Sequence, residues 1–117
     1  MLDVIVYLTS AGPNLSNEKY WNNCIESINS ISDKSGDVDY KFYIVTDNKN
    51  FANAIGAYFL KKESLSNKLL DVCLTDKSWA KNYNNFFNKH SNSTKYILIS
   101  HDDVIVKTDK FLQESIN

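Results

Sequence analysis

Arginine is missing altogether: all thirteen cationic side chains are lysine. Without a guanidinium, no bidentate clamp on phosphate or carboxylate can form. Any phosphate this chain binds must be met by backbone N–H groups, by lysine or by a metal ion. Proline occurs once and glycine three times, too few for a collagen-like or low-complexity chain. Basic excess is lacking as well. A formal net charge of -1 is not that of a general nucleic-acid binder, and no nucleic-acid partner is expected. No apolar run approaches the length of a membrane span, and the first apolar stretch is short and carries Asp3, unlike a signal peptide. Cysteine is scarce. Cys24 falls in a helical pattern and Cys73 in a strand-like one, with no CxxC spacing and no His pair nearby, so both are expected to be buried free thiols. These absences together predict a cytoplasmic protein.

What is present fits one ordinary domain spanning all 117 residues, long enough to bury a core without staples. "DVIVYLTS" is a continuous β-branched and aromatic run, the pattern of a strand buried on both faces. "AGPN" breaks it. From Ser16 onward Tyr20, Trp21, Cys24, Ile25, Ile28 and Ile31 recur at helical spacing, with Ser16 or Asn17 as cap. "YKFYIVTDN" is a second strand, Phe51 to Tyr58 a short helix, and "LLDVCLT" a third strand. Trp79, Tyr83, Phe86 and Phe87 mark a helix to about Lys89, their stripe expected to be core. "KYILIS" is the fourth strand, and Thr108 or Asp109 caps a last helix, Lys110 to Ile116. His90 has no partner in sequence, and "LKKES" reads as a solvated face.

Strands of this kind alternating with helices predict an α/β fold of three layers, α/β/α, around a mainly parallel sheet in the order 3-2-1-4. Ligands of such sheets bind beyond the carboxyl ends of the strands, near a topological switch point. The polar residues gather at those ends: Thr9 and Ser10, then Asp47 and Asn48, then His101, Asp102 and Asp103. The last two are adjacent carboxylates between "YILIS" and "VIV". Core-like flanks would hold them near the interior, where an unpaired carboxylate is costly. With phosphate oxygens and water, they could complete an octahedral Mg²⁺ or Mn²⁺ site.

These segments resemble the nucleotide-binding half of the GT-A glycosyltransferases, especially the family 2-like enzymes. The resemblance lies in "VIVYLTSAGPN", in the acidic turn "YIVTDNKN", in the helix "WAKNYNNFF", and above all in "YILISHDDV", which is similar to a strand running into a DxD-type motif with His101 in place of its first Asp. It implies a Rossmann-like half-domain binding a nucleotide-diphosphate sugar, most simply a UDP-sugar, with Mg²⁺ or Mn²⁺. Thr9 and Ser10 would line the base and ribose pocket, and Asp47 would accept a hydrogen bond from the base. Asp102 would lie against the ribose or sugar-phosphate. Asp103 would ligate the metal, with His101 as a second ligand or a phosphate contact, and Asn84 would match the Asn of the preceding helix.

A complete enzyme of this kind would be a hexosyltransferase moving a glycosyl group to an acceptor hydroxyl. The resemblance does not extend to an acceptor half, and no residue here can be named as the general base. The alternative is an inactive nucleotide-binding or scaffold module. A receiver-like phosphoryl-transfer protein would carry an acidic pair after the first strand, where this chain has "TSAG". Strand four would present an open edge, so a second copy or a partner chain is expected to cover it.

Overall fold

The computed structural model describes residues 1–11, 17–76 and 78–116. It contains four strands, β1 (Leu2–Thr9), β2 (Tyr40–Thr46), β3 (Leu69–Leu74) and β4 (Thr94–His101). Between and after them run α1 (Glu18–Asp33), α2 (Lys49–Lys61), α3 (Trp79–His90) and the short α4 (Phe111–Ser115). The strands form one sheet in the order β3-β2-β1-β4, every pairing parallel. The expected three-layer α/β architecture and strand order are those observed.

The two central strands, β1 and β2, read as two-sided apolar runs because both faces of the sheet are covered there. On one face Val4, Val6 and Leu8 of β1 pack with Cys24, Ile28 and Ile31 of α1 and with Phe51, Ile55 and Phe59 of α2. Leu112 of α4 closes this layer. On the opposite face Ile5 and Tyr7 of β1 and Tyr43 and Val45 of β2 pack beneath Phe86 of α3. The crossovers through α1 and α2 carry the chain outward from β1 to β3, and α3 brings it back on the other face to β4. The switch point therefore lies between β1 and β4.

Helix ends follow local chemistry. Asn17 caps α1, its side chain accepting from the Lys19 N–H; Ser16, the other expected cap, lies outside the described residues. The second helix is longer than Phe51–Tyr58 because Asn48 caps it, its Oδ1 accepting from the Phe51 N–H at 3.0 Å. The last helix departs from expectation. It begins at Phe111 after Lys110 in the left-handed region (φ 56°), with no side-chain cap. Asp109 does not cap it because its carboxylate is drawn to Lys34 Nζ, 2.8 Å away.

The aromatic stripe of α3 is only partly core, against expectation. Phe86 is buried and Tyr83 half-buried, but Trp79 and Phe87 are 50% and 45% exposed. Residues 82 and 86 point at the sheet, whereas 79, 83 and 87 run along the flank of α3 toward β4. A groove lined by Tyr83, Phe87, Thr94, Tyr96 and Ile97 follows that flank.

Candidate nucleotide site at the strand ends

Three of the four strands deliver polar residues to one rim. The register sets Thr9 of β1 opposite Val45 of β2 on one side and His101 of β4 on the other. With strands about 4.8 Å apart, the ends of β2 and β4 stand about 10 Å from each other across β1. Asp47 lies two residues past Val45 and Asp103 two past His101. The expected convergence of Asp47 and Asp103 near one rim agrees with this spacing.

Ser10 ties the rim together. Its backbone N–H donates to the Val45 carbonyl at 2.9 Å, and its hydroxyl donates to Asp102 Oδ2 at 2.8 Å. The residue is buried, so it braces three strand ends instead of lining an open pocket. Beside it Cys24, on α1, has its thiol pKa pushed up to about 12: burial dominates, a hydrogen bond with Ser10 works against it, and the Asp102 charge adds to it.

The carboxylate pair is less enclosed than its flanks suggested. Asp102 is half-buried and Asp103 exposed, and of the following "VIV" only Val106 is buried while Val104 and Ile105 face solvent. Apolar residues after the strand were read as core, but here they belong to a loop laid along α1. Ser27, Ser30 and Lys34 share one face of α1, and each holds a point of that loop. The Ser27 hydroxyl donates to the Val104 carbonyl at 2.6 Å, the Val106 N–H donates to Ser30 Oγ at 2.9 Å, and Lys34 Nζ donates to Asp109 at 2.8 Å. The cost of enclosing Asp102 is thus offset by a hydroxyl donor, and Asp103 keeps its water.

On the α3 face of the same rim lies a pocket of about 140 Å³, lined by Tyr7, Thr9, Asp47, Asp76, Trp79 and Asn82 among others. Thr9 and Asp47 both line this pocket. Asn84 does not: it is exposed on α3 and is not among the residues lining the pocket. The asparagine that does is Asn82, buried, its amide donating to the Tyr7 hydroxyl at 3.4 Å. Cys73 Sγ donates in turn to Asn82 Oδ1 at 3.7 Å. Helical phase separates the two asparagines. Asn82 stands one turn before Phe86 on the sheet-facing side, and Asn84 is about 200° further round. That i, i+4 relation to Phe86 was the signal available in the sequence.

His101 and Asp103 are both exposed at the end of β4. Among the described residues no group of three or more His, Cys, Asp or Glu side chains is gathered as a metal cage. Also among them, no helix is long and apolar enough to cross a membrane. Compared with known proteins, the chain matches no family model, no curated protein and no solved structure.

Proposed function

We propose that this chain is a glycosyltransferase-like domain of the cytoplasm that binds a nucleotide-diphosphate sugar, most simply a UDP-sugar. In a complete enzyme the reaction would transfer the glycosyl group to an acceptor hydroxyl. The observation that carries the reading is the rim itself. A parallel sheet with a switch point beside β4 brings a pocket edged by Thr9 and Asp47 next to the sequence His101-Asp102-Asp103. Such a crevice beyond the carboxyl ends is where open α/β sheets take nucleotides.

The donors at the end of β4 suit a hard cation that arrives with its phosphate. Asp103 and His101 are free of the core, and Asp102 is engaged by Ser10. Mg²⁺ or Mn²⁺ is ordinarily held by one or two carboxylates together with phosphate oxygens and water. Asp103, with His101 beside it, would hold such an ion, which when bound would neutralise charge on a diphosphate leaving group. With arginine absent, most diphosphate recognition falls to that ion.

Titration calorimetry with UDP, with and without Mn²⁺, is the test. Binding is expected to collapse in chelator. Asp103→Asn should remove the metal-dependent part, and Asp47→Ala should blunt the preference for uridine. Equal affinity with and without metal would overturn the metal role and leave a nucleotide-binding module without turnover. No nucleotide binding at millimolar concentration would overturn the proposal as a whole.

A further inference from the structure

Trp79 is half exposed at the very start of α3 and contributes to the wall of the rim pocket. Its indole is not loose. It stacks on Tyr83, one turn later, with centroids 5.6 Å apart and planes inclined by only 5°. Tyr83 is itself fixed by edge-on contact with the buried Tyr7 at 5.2 Å. The pocket thus has one flat aromatic wall already held in place, which lowers the ordering cost of stacking another ring there.

The polar groups around that wall are selective. Asp76 can only accept hydrogen bonds when ionised, and no cationic side chain is among the described lining residues. Its charge disfavours a phosphate beside it, whereas a ring bearing an N–H group would find an acceptor. Thr9 Oγ1 is buried in the same wall with no hydrogen-bond partner in the protein, an atom that can both donate and accept. The Asn82 amide is already engaged with Tyr7 and Cys73, so it shapes the pocket floor.

We infer that Trp79 is the stacking plate of a subsite for a flat nitrogen heterocycle carrying a ring N–H, a nucleobase of the uracil kind. This rests on the nucleotide reading above and adds to it a residue that fixes base recognition. The base lies on the α3 face of the rim and the phosphates extend toward Asp103.

The second tryptophan, Trp21, packs edge-on against Phe51 and Tyr58 under the other face of the sheet. Trp21→Phe therefore leaves Trp79 as the sole indole reporter. In that protein uridine and UDP with Mn²⁺ should quench Trp79 emission, and ribose 5-phosphate should not. By calorimetry on the otherwise unchanged chain, Trp79→Ala should weaken UDP by roughly 5- to 150-fold, the usual worth of one base–aromatic stack. Trp79→Phe should keep most of the affinity, and Trp79→Leu, which keeps apolar bulk without a π face, should not. UDP binding as tightly to the Ala and Leu variants as to the unchanged chain would overturn this inference and leave the proposed function standing. Quenching by ribose 5-phosphate equal to that by uridine would overturn the heterocycle assignment. No UDP binding to the unchanged chain would overturn both.

Discussion

Two glycines offer the same chemical change with opposite expected signs. Gly36, in the turn between α1 and β2, has φ +81°, a region that L side chains rarely adopt. A Cβ there would stand 2.8 Å from Gln113 Oε1 and 3.1 Å from Lys110 Cα. Forcing an L residue into the left-handed region costs about 1–2 kcal/mol. Displacing Gln113 also loses its hydrogen bond from the Asp37 N–H, 2.9 Å, worth about 1 kcal/mol. The stiffer unfolded chain returns about 0.5 kcal/mol. Gly36→Ala should therefore destabilise by roughly 2 kcal/mol net. Gly56 lies inside α2, and a Cβ there meets nothing within 4 Å. Gly56→Ala should stabilise by about 0.5–1 kcal/mol. At an unfolding entropy of about 2.1 cal/mol/K per residue, these become a fall of about 8 °C and a rise of about 2–4 °C in Tm. Thermal and urea melts followed by circular dichroism read both. A neutral or stabilising Gly36→Ala would refute the strained clasp between this turn and α4.

Cys24, its thiol pKa pushed up to about 12 by burial, should resist thiol reagents at pH 8 until the protein unfolds; prompt labelling in native buffer would refute its burial. His90 packs against Phe86 and Tyr43, and burial lowers its pKa below the ordinary 6.5, helped by the Lys89 charge. The unfolded chain then binds the proton more readily, so this contribution to stability is full above about pH 6.5 and is lost as pH falls through the folded value. His90→Phe should flatten the slope of urea stability below pH 6.5, and an unchanged slope would refute the assignment. Along β4, Tyr96 and Ile99 are 50% and 43% exposed, and β1 is its only partner among the described strands. We propose that a second copy pairs there, because the open edge of β4 presents unpaired backbone N–H and C=O groups beside these exposed side chains. Sedimentation should show concentration-dependent dimers that Ile99→Lys abolishes; a clean monomer at high concentration would refute the pairing.

The sheet was legible because a strand covered on both faces admits few polar residues, and β1 and β2 obey that rule almost without exception. The strand order followed from right-handed crossovers of adequate length. The loop after β4 was not legible. Its valines look like core, and what holds it is two serines of α1, Ser27 and Ser30, together with Lys34 at the end of that helix. Ser10 was misjudged for a related reason: a serine at a strand end suggests a ligand contact, and only the register shows that its hydroxyl is committed to Asp102. Of the residues that line the rim pocket, Thr9 and Asp47 stand at strand ends visible in the sequence, whereas Asn82 is marked there only by its i, i+4 spacing from Phe86.

The placement of β1 has a consequence for the order in which the molecule comes into being. Of the four described strands, β1 comes earliest in the chain and its second edge is closed last. Val4 pairs with Tyr40 on one side and with Tyr96 on the other, so one flank of β1 must wait until β4 has followed it out of the ribosome. Through that interval an apolar strand stands with an unsatisfied edge, the condition under which nascent chains associate wrongly or are held by chaperones. Closure of β4 onto β1 also forms the link between Ser10 and Asp102. Pulsed hydrogen exchange during refolding should find the β1–β4 amides protected after those of β1–β2. On that timetable the rim is complete only when the fold is, and a partly folded chain has no site to offer.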